Sequence, residues 1–156
     1  MKNQTGFSLV ELITTLAVMA TLSVASYPAI ESWKHKEKVR AEIRHLVSTL
    51  MNARVEAIKV NKFVVVQFTE SGYTAFIDDG ANGGIAKDWI YQLGERELMH
   101  HTIIDGLGLA SNFPSDRMRF NGRVGIRPGS VFFSNGEKDI AKVVLSVTGR
   151  VRVEKL

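Results

Sequence analysis

Cysteine is absent from the 156 residues, so no disulfide staples the fold and the chain is compatible with any redox compartment. Between Phe7 and Ile30 there is no lysine, arginine or aspartate. No internal repeat or low-complexity segment is present. No histidine has a companion at a metal-ligand spacing: His35 and His45 read as solvated positions on a helix, and the adjacent His100 and His101 would point to opposite faces of a strand. Asp78, Asp79 and Asn82 lack the alternating ligands and distal glutamate of a calcium loop. "GLGLAS", Gly106 to Ser111, begins like a dinucleotide fingerprint, but Phe113-Pro114 stands where the phosphate-binding helix would continue, so it reads as a loop. No nucleophile, base and orienting group form a recognisable set. These absences predict a protein that is not an enzyme and holds no metal or cofactor.

The stretch is long enough to cross a hydrocarbon core about 30 Å thick. Its flanks are Lys2 on one side and Trp33, Lys34, Lys36 and Lys38 on the other, which leaves the orientation ambiguous by lysine count. A cleavable secretory signal, cut near Ser23-Val24-Ala25, is the competing reading. Length argues against it, and so does Glu11, because a carboxylate inside an apolar segment costs about 2.5 kcal/mol or more. Such a carboxylate needs a partner. A cut between Gly6 and Phe7 would supply one, since the new amino group would lie one helical turn from Glu11.

Lys2, Gly6, Phe7 and Glu11, followed by "GFSLVELITTLAVMATL", resemble the N-terminal signature of type IV prepilins and pseudopilins. That resemblance implies a leader, residues 1–6, removed by a prepilin peptidase after Gly6, methylation of Phe7, and Glu11 guiding the subunit into a filament. It also implies that the leader is cytoplasmic, that 7–30 spans the inner membrane, and that residues 31–156 are periplasmic and reach the cell surface or filament on assembly. Pro28 fits a helix position where the family often carries proline; there it removes one intrahelical hydrogen bond and permits a kink. The absence of cysteine departs from many major pilins and favours a minor pilin or pseudopilin.

Beyond the apolar stretch, Val39, Ile43, Leu46, Val47, Leu50, Ala53, Ala57 and Ile58 recur at helical steps and predict an amphipathic helix over 31–61. From Phe63 the pattern turns to strands. "FVVVQFT" and "YTAFID" flank a glycine-containing turn, and "RMRFNGRVGIR", "GSVFFSNG", "AKVVLSV" and "GRVRVEKL" are short strands broken by turns. The expected fold class is α+β: a long N-terminal helix packed on an antiparallel β domain, 62–156.

This layout resembles the FimT/GspH branch of pilin-like proteins, with other pilin or pseudopilin subunits implied as partners. Charge adds a further expectation. Residues 117–156 hold nine basic and three acidic side chains, a net of plus six, against plus four for the whole chain. "TGRVRV" would place Arg150 and Arg152 on one face of a strand while Val151 and Val153 face the core. Solvated charges on an edge strand explain this equally well. Gly149-Arg150-Val151-Arg152, however, matches a Gly-Arg-any-Arg motif that in FimT-like minor pilins carries DNA binding for natural transformation. The resemblance therefore implies contact with the DNA phosphate backbone, with Arg123 and Arg127 as weaker candidates. A GspH-like pseudopilin of a type II secretion system, without nucleic acid, is the alternative.

Overall fold

A single helix, α1, covers Leu9–Val60 in the computed structural model, which describes residues 8–121, 126–136 and 138–155. The chain divides into two units, Met1–Lys38 and Val39–Leu156. In the first unit, Leu9, Val10, Leu12, Ile13, Leu16, Val18, Met19, Leu22 and Val24 are all exposed. Among the described residues no helix is long and apolar enough to cross a membrane.

In the second unit, α1 buries Ile43, Leu46, Leu50, Ala53 and Ala57, alternating steps of three and four that keep one stripe inward. Ile58, expected on that stripe, is instead 56% exposed beside the exposed Met51 and Val55. It follows Ala57 by one residue, so it is turned about 100° from the core when Ala57 points inward. The helix ends at Val60, and Asn61 just past it has a φ of 51°, the left-handed conformation that asparagine tolerates after a helix C-terminus.

Eight strands follow: β1 Phe63–Thr69, β2 Gly72–Asp78, β3 Glu97–Thr102, β4 Gly108–Ser111, β5 Arg117–Phe120, β6 Gly129–Ser134, β7 Asp139–Leu145 and β8 Val151–Lys155. They form two four-stranded sheets, ordered β3-β2-β1-β5 and β4-β6-β7-β8, with every pairing antiparallel. The α+β expectation holds. "GLGLAS" is not a loop throughout, because its last four residues are β4, paired with β6 at the edge of the second sheet.

Val64, Val66 and Phe68 of β1 enter the core shared with α1 and the second sheet. Their neighbour Val65 is equally inaccessible, as is Phe76 opposite it, yet neither belongs to that core. The segment between β2 and β3 folds over this other face of the first sheet, where Tyr91 meets Phe76 edge-on at 5.3 Å. A sheet covered on both faces explains why β1 reads as a continuous apolar run rather than an alternation. Asp78 shapes the covering segment by accepting hydrogen bonds from the amides of Lys87 and Trp89, and Glu95 accepts from Gly80 and Gln92.

Candidate functional site

Two regions carry the predicted site residues. At the helix start, Gly6 and Phe7 lie outside the described residues. Glu11 sits in the first turn of α1, exposed, with its amide donating to the Ser8 carbonyl at 3.1 Å. A carboxylate there complements the positive end of the helix dipole. The hydroxyls of the apolar stretch are turned inward on their own helix: Thr14, Thr15, Thr21 and Ser23 donate to the carbonyls of Glu11, Leu12, Val18 and Met19 at 2.8–2.9 Å. Each of these four hydroxyls thus has a partner without water. Pro28 falls inside α1, which continues past it.

The second region is the basic end of the β unit. Gly149 has φ 76°, a conformation that favours glycine, and a Cβ there would stand 2.6 Å from Ile126 Cδ1 and 2.8 Å from Arg54 Nη1, so those side-chain ends would have to shift. The turn closes by the Gly149 amide donating to Ser146 O at 2.8 Å and the Arg150 amide donating to Ser146 Oγ at 3.1 Å. Arg54 of α1 donates to Gly149 O at 3.2 Å. Arg150 and Arg152 are both exposed.

The geometry corrects the expected strand. β8 begins only at Val151, so Arg150 belongs to the turn rather than to the alternation. Val151 packs against the core, but Val153 is 49% exposed and does not face it. The cause is position: β8 pairs with β7 alone, at the open edge of its sheet, and little lies over it.

Arg123 lies outside the described residues. Arg127 is exposed in the loop before β6, and its neighbour Ile126 donates its amide to Val147 O at 3.4 Å, which ties that loop to the turn leading into β8. Arg127 also shares a hollow with Arg117 and Arg119 of β5. Arg54, Arg117 and Arg119 therefore join the cationic region, although only their charge was visible in the sequence.

Elsewhere in this unit, His45 is not solvated. Its Nδ1 lies 2.6 Å from the hydroxyl of Tyr73, and its ring stacks on His101 at 4.0 Å. His101 Nε2 meets Glu42 Oε2 at 2.6 Å, whereas His100 turns the other way to Thr74 Oγ1 at 2.9 Å, as alternation requires. Burial pushes the Tyr73 phenol well above its ordinary range, opposed by a hydrogen bond with Thr49 and aided by the Glu42 charge. Among the described residues no group of His, Asp or Glu is arranged to hold a metal. The carboxylates of the acidic loop are committed locally, with Asp79 Oδ2 accepting from Lys62 at 2.6 Å and Oδ1 from the Ala81 amide at 3.2 Å.

Comparison with known proteins agrees with this architecture. The family described as type II transport protein GspH matches residues 42–149, and the prokaryotic N-terminal methylation motif matches residues 1–27. No curated protein sequence matches. The type IV minor pilin FimU of Pseudomonas aeruginosa superposes with a TM-score of 0.59 at 13% identity, over 78% of this chain and 92% of that one. The minor pseudopilin EpsH of the Vibrio cholerae type 2 secretion system superposes with a TM-score of 0.54 at 17% identity, over 74% and 95%. Both neighbours share the fold. The chain belongs to the GspH family and carries the N-terminal methylation motif: it is a pilin-like minor pilin or pseudopilin.

Proposed function

We propose that this chain is a minor subunit of a type IV pilus whose β unit takes up DNA by the phosphate backbone. A prepilin peptidase removes residues 1–6, Phe7 is methylated, and segment 7–30 anchors the subunit in the inner membrane with the β unit on the periplasmic side. Glu11 then pairs with the Phe7 amine, its own or a neighbour's, as the subunit enters the filament. The exposed apolar residues from Leu9 to Val24 support this, because such a surface is stable only against lipid or other subunits.

The observation that carries the DNA reading is the bond between Ile126 and Val147, which ties the loop carrying Arg127 to the turn carrying Arg150, two basic segments far apart in sequence. Guanidinium forks suit phosphates, and phosphate contacts need no base sequence. The test is binding of unrelated DNA duplexes by the full chain in detergent micelles. Similar affinities of about 10⁻⁴ to 10⁻⁶ M, falling steeply with salt, support it.

A second reading, a minor pseudopilin of a type II secretion system, is favoured by the family match itself. A cleft of about 660 Å³ lined by Met51, Val55, Ile58 and the Thr148–Val151 turn would then serve protein partners. Absence of DNA binding at low salt selects it.

A further inference from the structure

The guanidinium carbon of Arg119 lies 4.3 Å from the centre of the Phe63 ring and 4.2 Å from that of Trp89. Two aromatic faces fix its plane, so its N–H donors are presented from the edge. Arg117 precedes it by two residues on the same face of β5, since Met118 and Phe120 fill the core. With Arg127, Met118 and Trp89 they enclose a hollow of about 210 Å³.

The described lining of the hollow holds three cations and no acidic side chain. Among the described residues none of the three arginines forms an ion pair, and the buried Nε of Arg117 has no hydrogen-bond partner. Asp78 acts on Arg119 through its charge, but its oxygens accept the amides of Lys87 and Trp89. Burial, and then the charge of Arg127, disfavour the Arg119 cation, a cost that an anion in the hollow would relieve.

We propose that this hollow is a phosphate-binding site in which Arg117, Arg119 and Arg127 grip the oxygens of one phosphate group. A carboxylate offers one plane and one charge, which a single fork serves. A tetrahedral phosphate presents oxygens in several directions and suits forks converging from two segments of chain. The phosphate belongs either to a nucleic-acid strand or to a small phosphorylated molecule. Only the first source rests on the DNA reading above.

The experiment uses the full chain in detergent micelles with Trp33→Phe, which leaves Trp89 as the single indole. Inorganic phosphate is titrated against chloride at matched ionic strength, and emission is recorded. A saturable change with phosphate alone is expected. Arg127→Gln, in an exposed loop, and Arg117→Lys, which keeps charge but loses the fork, should each weaken phosphate about tenfold with unchanged circular dichroism. Lys138→Gln, exposed just before β7 and outside the hollow, should not. No saturable change, or parental affinity in both pocket variants, overturns the site. Displacement of phosphate by a single-stranded oligonucleotide assigns the site to a nucleic-acid strand. Phosphate binding without displacement supports it as a site for a small phosphorylated molecule and separates it from DNA uptake.

Discussion

The amide of Ile126 donates to the carbonyl of Val147 across 3.4 Å, and that bond ties the loop carrying Arg127 to the turn carrying Arg150. A cationic surface assembled in this way depends on backbone geometry as much as on charge, and the two can be tested apart.

Charge is tested by Arg150→Gln with Arg152→Gln. Each neutralised phosphate contributes roughly 0.9 to the slope of log affinity against log salt, so the double variant should bind duplex DNA more weakly and flatten the slope by up to about two units. Both side chains are exposed, so the variant should melt with the parent. Parental affinity at low salt would reduce these arginines to solvating charges on an edge strand.

Geometry is tested by Gly149→Ala. The added methyl meets Ile126 and Arg54 and forces a non-glycine residue to φ 76°, a cost of about 1 to 3 kcal/mol. Urea unfolding should register that loss. An unchanged midpoint would mean that the turn gives way without penalty.

The buried phenol of Tyr73 offers a stability test within the β unit. Tyr73→Phe removes the group that satisfies His45 Nδ1, and with it the Thr49 contact, so a loss of about 1 to 3 kcal/mol is expected. Thermal melting that matches the parent would show that the hydroxyl is dispensable.

Acid should act through Asp79. The Lys62 hydrogen bond holds its carboxyl below the ordinary 3.8, so the pair's contribution is complete above that value and is lost as pH falls through the lower folded one. Lys62→Gln should therefore melt below the parent at neutral pH, with the gap closing in strong acid. A gap that stays constant with pH would place its cause elsewhere.

Assembly is tested by Glu11→Ala. The β unit should melt as in the parent while incorporation into filaments falls, because the apolar segment loses its one carboxylate. Parental amounts of the variant in purified filaments would remove Glu11 from assembly.

Local rules carried the sequence reading a long way. Ile43, Leu46, Leu50, Ala53 and Ala57 are legible as a buried stripe because helical spacing alone decides which side they share. The β1–β2 hairpin is legible because two β-rich runs flank a short turn. His45 was not, since its partners Tyr73 and His101 arrive from strands far along the chain. Arg150 was misplaced by a single residue, because alternation does not mark where a turn stops and a strand starts. Nor does Arg119 announce its aromatic clamp: Phe63 and Trp89 meet it only because Asp78 draws the intervening segment back over the sheet.

The hydroxyls folded onto α1 limit how subunits can recognise one another. Thr14, Thr15, Thr21 and Ser23 spend their donors on their own carbonyls, so a neighbouring helix meets mainly methyl and methylene groups, whose attraction has no preferred direction. Such faces can slide. In the proposed assembly, the pair of Glu11 and the Phe7 amine would stop the sliding at a defined place, so the axial step between subunits would be set at one end of the helix while the rest stays free to twist and shift.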